Sequence, residues 1–160
     1  MLMVCAVMWA GPIKRIAGSA SYFGKDITAN YDIDFKNATW EEEEDFKTWC
    51  GSAYSERLAT CDSAFYATFN EKTRHLKLVD NEEAPYKLVI HVNNLERKQS
   101  GFMFGLFFVR IYGELELIDQ ATNEAVYSAK FNKVQGDANF VELYRISNAF
   151  EALAKNIIDL

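Results

Sequence analysis

Residues 27–36, ITANYDIDFK, alternate strictly between apolar and polar: Ile27, Ala29, Tyr31, Ile33 and Phe35 point one way, Thr28, Asn30, Asp32, Asp34 and Lys36 the other. Period two with one polar face describes a strand half sunk in a core. Helix signals follow at once. Thr39-Trp40-Glu41-Glu42 has the form of a capping box, in which a threonine oxygen and a glutamate three residues later satisfy each other's free backbone donors. Glu43, Glu44 and Asp45 would then suit the positive end of a helix dipole. Phe46, Trp49, Cys50, Ala53, Tyr54, Leu58, Cys61, Phe65 and Phe69 keep a three-four spacing, which predicts one long helix reaching about residue 70, with Gly51 as the place where it bends or breaks.

Towards the carboxyl end, residues 75–80 and 86–95 read as strands joined by the polar turn at 81–85, closed by Pro85. A third strand runs from about Phe102 to Asp119, a turn occupies residues 120–123, and a last strand covers about Glu124 to Phe131. Leu143, Ile146, Phe150, Leu153, Ile157 and Leu160 form the seam of a closing helix. The expected order is therefore β-α-β-β-β-β-α. It indicates an α+β fold in which a mostly antiparallel sheet of about five strands carries two amphipathic helices on one face. No shift in composition divides residues 26–160, so they are expected to form a single domain.

Composition narrows the classes of partner. With 160 residues, 49% of them hydrophobic and 25% charged, the chain is that of an ordinary globular protein able to bury its own core. A net charge of -6, with lysines and arginines scattered singly among acids, works against nucleic acid as a partner and against an anionic membrane surface approached by charge alone. Met1 to Ala10, MLMVCAVMWA, is apolar throughout but shorter than the roughly 20 residues that span a bilayer. Residues 1–20 are read as an apolar leader, a shortened secretory signal with Ala17-Gly18-Ser19 offering small residues of the cleavage-site type. A hydrophobic first strand or a packed anchor is the competing reading of that run, and Cys5 the candidate for lipidation. Export to the periplasm or cell envelope is the expected location, with the cytoplasm as the alternative.

Chemistry-bearing constellations are thin. Asp32 and Asp34 share a strand face about 7 Å apart, with no third hard ligand suggested nearby. His75 and His91 have no ligand at a metal spacing, and no nucleophile motif accompanies them. No catalytic residue, metal or cofactor is implied. Cys50 and Cys61 lie roughly 16 Å apart on a continuous helix, so they could pair only if Gly51 ends it; buried free thiols are the expectation. The segment Phe102-Met103-Phe104-Gly105-Leu106-Phe107-Phe108-Val109 is apolar on both faces, whereas a single layer of helices covers only one. Phe102, Phe104, Leu106, Phe108 and, further on, Tyr112 are therefore the candidate contact residues for a protein partner or a second copy. A competing class is a ligand binder or enzyme with an apolar pocket between helix and sheet lined by Trp49, Tyr54 and Phe65.

Residues 84–92, APYKLVIHV, resemble the central "xxYxLxIxV" strand of small α/β domains in bacterial envelope lipoproteins, the group around the TolB amino-terminal domain and the curli secretion channel protein. Residues 111–119, IYGELELID, followed by Ala121-Thr122-Asn123, are similar to the "GxLxLxDxxTG" strand and turn of that group, and residues 150–158 are similar to its closing helix. The resemblance implies an exported, non-enzymatic domain that binds protein or envelope components. It supplies no catalytic residues.

Overall fold

A computed structural model describes residues 11–160 apart from Phe102. The elements in chain order are β1 (Ile13–Gly18), β2 (Thr28–Asp34), β3 (Thr39–Trp40), β4 (Glu44–Asp45), α1 (Phe46–Cys50), α2 (Tyr54–Lys72), β5 (Lys77–Leu78), β6 (Tyr86–Gln99), β7 (Phe107–Asp119), β8 (Glu124–Gln135) and α3 (Glu142–Ile158). The class is α+β. The expected sheet of about five antiparallel strands is wrong: the described residues make one mixed sheet of eight, in the order β1-β8-β7-β6-β2-β5, with β3 alongside β6 beyond the end of β2 and β4 on β3.

The expected order β-α-β-β-β-β-α also fails, because four strands and not one precede the helices, and the remaining error lies in direction. β6, β7 and β8 form an antiparallel meander, but β2 pairs in parallel with both β5 and β6. Between β2 and those neighbours the chain travels out through α1 and α2 and comes back. A strand followed by a helix and a strand in the same sheet is a crossover, and crossovers join parallel neighbours. The alternation in residues 27–36 reports a buried face and says nothing of direction.

On the inward face Val109, Ile111, Leu115 and Leu117 of β7 and Leu88, Ile90 and Val92 of β6 are buried. A bulge between Val92 and Asn94 then shifts the parity of β6, so that Leu95 takes the next inward position. Opposite the bulge stands Gly113. A Cβ there would come within 2.0 Å of the His91 carbonyl oxygen and 2.5 Å of the Phe131 ring, so the close approach of β6, β7 and β8 depends on its bare backbone. α2 and α3 lie against each other over this face. Of the six residues read as the α3 seam, Ile146, Phe150, Leu153 and Ile157 are fully buried, Leu143 is half-buried, and Leu160 is exposed beyond the end of the helix.

Two local expectations fail. The capping box does not start a helix: Thr39 and Trp40 are extended, pair with Asn94 and Leu95, and turn through Glu41 and Glu42, both at positive φ (55° and 62°). Asn94 supplies what the box would have. Its Oδ1 accepts from the Thr39 hydroxyl (2.9 Å) and from the Glu42 N–H (3.0 Å), while Trp40 stacks on Trp49 at 3.7 Å. Helix α1 starts seven residues after Thr39, capped by Asp45, whose carboxylate accepts from the Thr48 N–H. It ends at Gly51 (φ 55°), and the long helix resumes as α2. The third expected strand also begins late. Phe102 aside, residues 100–106 form the tip of the β6–β7 hairpin, closed by the Ser100 N–H donating to the Leu106 carbonyl (2.8 Å).

The residues read as an apolar leader, 1–20, include a strand of the sheet. Ile13 to Gly18 form β1, paired antiparallel with β8, so the small residues at 17–19 close an edge strand of the sheet. Met1 to Ala10 lie outside the described residues.

Candidate functional site

One end of the sheet gathers five of the seven large apolar side chains exposed among the described residues. Phe107 N–H donates to the Asn139 carbonyl (3.4 Å) and Asn139 N–H to the Phe107 carbonyl (2.8 Å), which ties the segment before α3 to the hairpin formed by β6 and β7. Gly136 N–H, donating to Val109 (3.2 Å), extends the tie. Met103 and Phe104 at the hairpin tip are exposed, Phe104 to 94%, and so are Phe140 (60%), Val141 and Tyr144 (53%) on the tied segment and the first turn of α3.

Arg145 holds this end in shape. Its side chain is buried, with Nε donating to the Asn139 carbonyl (2.6 Å), Nη2 donating to the Phe140 carbonyl, and the guanidinium 5.0 Å from the centre of the Phe107 ring. A second cation, Arg97, stands 5.1 Å from the same ring. The Asn139 side chain accepts from the Val141 N–H (2.9 Å), and the Asn148 amide donates to the Asp137 carbonyl (3.0 Å). Backbone polar groups that would otherwise loosen the segment are thus paired, and the aromatic rings beyond them face water on a firm support.

The sequence-predicted contact residues part company here. Phe104 stands at the tip and Leu106 is half-buried just before β7. Phe102 lies outside the described residues. Phe108 and Tyr112 belong to the outward face of β7, and each has a polar neighbour: Arg110 is 5.3 Å from the Phe108 ring, and the Tyr112 hydroxyl donates to Glu96. Partial burial first, and Glu96 second, push the Tyr112 hydroxyl up to about 12, while hydrogen bonds from Tyr112 and Lys98 outweigh burial and bring Glu96 below the usual carboxylate value. Phe140, Val141 and Tyr144 were missed because they sit off the helical seam. Their signal was three large apolar residues at the start of a helix whose buried stripe did not need them.

The rest of the outward face is polar. Cross-strand neighbours make a polar row: the His91 ring bonds Asp34 (3.1 Å) on β2, and Lys130 of β8 pairs with Glu114 (3.3 Å) of β7. A depression of about 510 Å³ opens there among Lys14, Asn93, Tyr112, Gly113, Lys130 and Asn132. Among the described residues no three His, Cys, Asp or Glu side chains are grouped to hold a metal ion. Cys50 and Cys61 are free and buried, and burial raises both thiols, with Arg57 partly offsetting the rise at Cys50. The three side chains expected to line a pocket between helix and sheet pack on other rings: Trp49 stacks on Trp40, Tyr54 meets Phe46 edge-on at 6.2 Å, and Phe65 packs on Phe69 at 5.8 Å. No described helix is long and apolar enough to cross a membrane.

No family model matches the chain, and no curated protein matches it. The resemblance to envelope lipoprotein domains therefore rests on its motifs alone. Among solved structures, the chain is similar in fold to PelC from Paraburkholderia phytofirmans, a dodecamer, at 18% identity over 92% of this chain and 97% of that one, with a TM-score of 0.52. A Xanthomonas campestris protein of the DUF330 family aligns at 15% identity over 91% of this chain and 87% of that one, with a TM-score of 0.45.

Proposed function

We propose that this chain is a non-enzymatic assembly module of the bacterial cell envelope, working as a homo-oligomer that presents its apolar end to a protein component of the envelope. The observation that carries the reading is that end itself. Five large apolar side chains from two segments stand in water on a support fixed by Arg145, and a soluble domain that keeps such a cluster exposed uses it for contact. The likeness in fold to a chain that forms a dodecamer supports the oligomer, and the apolar run Met1–Ala10 supports export. Repeating the same end around an oligomer would raise its avidity for a partner without any new contact.

Two measurements on the native protein test this. Light scattering over the micromolar range is expected to give a mass several times 18.3 kDa; a monomer throughout would end the oligomeric part. Fractionation of cells is expected to find the wild type with the envelope and a Phe104→Asp/Phe140→Asp variant, at unchanged oligomeric mass, released from it. Equal partition of the two would end the contact role of the apolar end.

A further inference from the structure

The two sides of the sheet end differently, and one complements the other. On the first side β1 is outermost. Its pairing with β8 slips between Arg15 and Ala17, so Ile16 is thrown out of register and stands 56% exposed, with Lys14 and Arg15 exposed before it. On the opposite side β5 covers β2 only at Thr28 and Ala29. The carbonyls of Ile27 and Ala29 accept from Lys77 and Val79 (both 2.9 Å), so by the period of a strand Tyr31 and Ile33 present their backbone to the same side, where no described strand meets them. The Tyr31 N–H is taken by the Asn30 side chain (2.8 Å).

Beside that bare stretch lies a groove of about 260 Å³ between β2 and α2. Ile33, Phe35, Leu58 and Ala59 line it, and Asp32 and Asp62, both exposed, stand at its rim. The Tyr31 hydroxyl donates to Asp62 (3.0 Å) and fixes that carboxylate.

We infer that the groove receives the β1 edge of a second copy: Ile16 seats between Ile33 and Leu58, and Lys14 and Arg15 meet Asp32 and Asp62. The inference rests on the homo-oligomeric reading and names its interface. Three features favour this occupant. The knob is apolar with a cation on each face of the strand just before it, and the hole is apolar with carboxylates at its rim, so the surfaces match in charge as well as in character. Knob and hole lie on opposite edges of the sheet, so a copy seated on one edge leaves the other edge free for the next copy, a head-to-tail arrangement of the kind that forms a ring when its rotation closes. Pro12, the two cations and the bulge block a continuous hydrogen-bonded ladder along β1, so the contact is made by side chains and not by strand addition.

The test is a charge exchange on the full chain. Lys14→Glu/Arg15→Glu alone and Asp32→Lys/Asp62→Lys alone are each expected to scatter light as monomers where the wild type is assembled, and an equimolar mixture is expected to regain the wild-type mass. Because recovery needs folded protein, it also shows that neither variant failed to fold. Ile16→Asp is expected to raise the concentration of half-assembly at least tenfold. A wild-type oligomer that survives either charge variant alone, or a mixture that stays monomeric, overturns this interface and leaves the homo-oligomer standing. If Phe104→Asp dissociates the oligomer while the charge variants do not, the copies meet at the apolar end instead. A wild-type monomer overturns both readings together.

Discussion

The seam of α3 and the apolar end of the sheet are built from the same kinds of residue and treated in opposite ways. Ile146, Phe150, Leu153 and Ile157 give all their surface to the core, whereas Phe104, Phe140, Val141 and Tyr144, the last two flanking the start of the same helix, give about half or more of theirs to water. The difference is not one of hydrophobicity. Phe150 is placed by its spacing along the helix against Phe35, at 5.5 Å between ring centres, while Phe140 is held outward because Arg145 ties its backbone down from below. Burying an aromatic side chain is worth roughly 1.5–3 kcal/mol, so leaving several exposed forgoes stability that the fold could have had. That forgone stability is what the proposed contact role would account for.

The contrast can be tried at several strengths. Phe150→Ala should be the most damaging, removing about 3–5 kcal/mol from the urea-unfolding free energy, since the surrounding core cannot collapse on the cavity. Arg145→Met should cost about 1–3 kcal/mol, because the carbonyls of Asn139 and Phe140 lose a buried donor. It should also loosen the exposed end, seen as faster amide exchange at residues 107 and 139; unchanged exchange there would show that the support lies elsewhere. Phe104→Asp should move the unfolding free energy by no more than about 0.5 kcal/mol while abolishing envelope association, the reverse of Phe150→Ala. If Phe104→Asp proves strongly destabilising, the tip belongs to the core and the contrast fails.

The smallest effect belongs to the polar face. The Asp34 carboxyl is held below its ordinary value, first by the Lys36 N–H and then by His91. A depressed carboxyl adds stability above its unfolded value near 3.9 and loses it as pH falls through the lower folded value. Wild type and Asp34→Asn should therefore differ above about pH 4, by less than about 1 kcal/mol because the pair is partly solvated, and converge in stronger acid. A difference that grew on acidification would contradict the assignment.

What could be read from the chain follows the range of the interaction. The middle of the α3 seam, Ile146 to Ile157, and the inward face of β2 are local patterns and stand as read, while the seam's ends at Leu143 and Leu160 do not bury. The parallel pairing of β2 with β6 depends on where the chain returns after α2, which no window of residues encodes. β1 went unseen because its bulge breaks period two at Ile16. The contact residues were half legible: Phe104 stands out in any reading, but that Phe140 and Tyr144 share its end depends on the bridge between Phe107 and Asn139. Thr39 and Glu42 carried the letters of a helix start, and a side chain 55 positions beyond Thr39 overruled them.

That last case bears on the order in which the molecule comes together. Two successive glutamates in left-handed backbone are disfavoured by roughly 1–2 kcal/mol each, so residues 39–45 have little tendency to adopt their native turn alone. The turn becomes favourable only after β6 has delivered Asn94 beneath it. In refolding experiments, Asn94→Ala should accelerate unfolding and leave the refolding rate nearly untouched, the mark of a region that sets last.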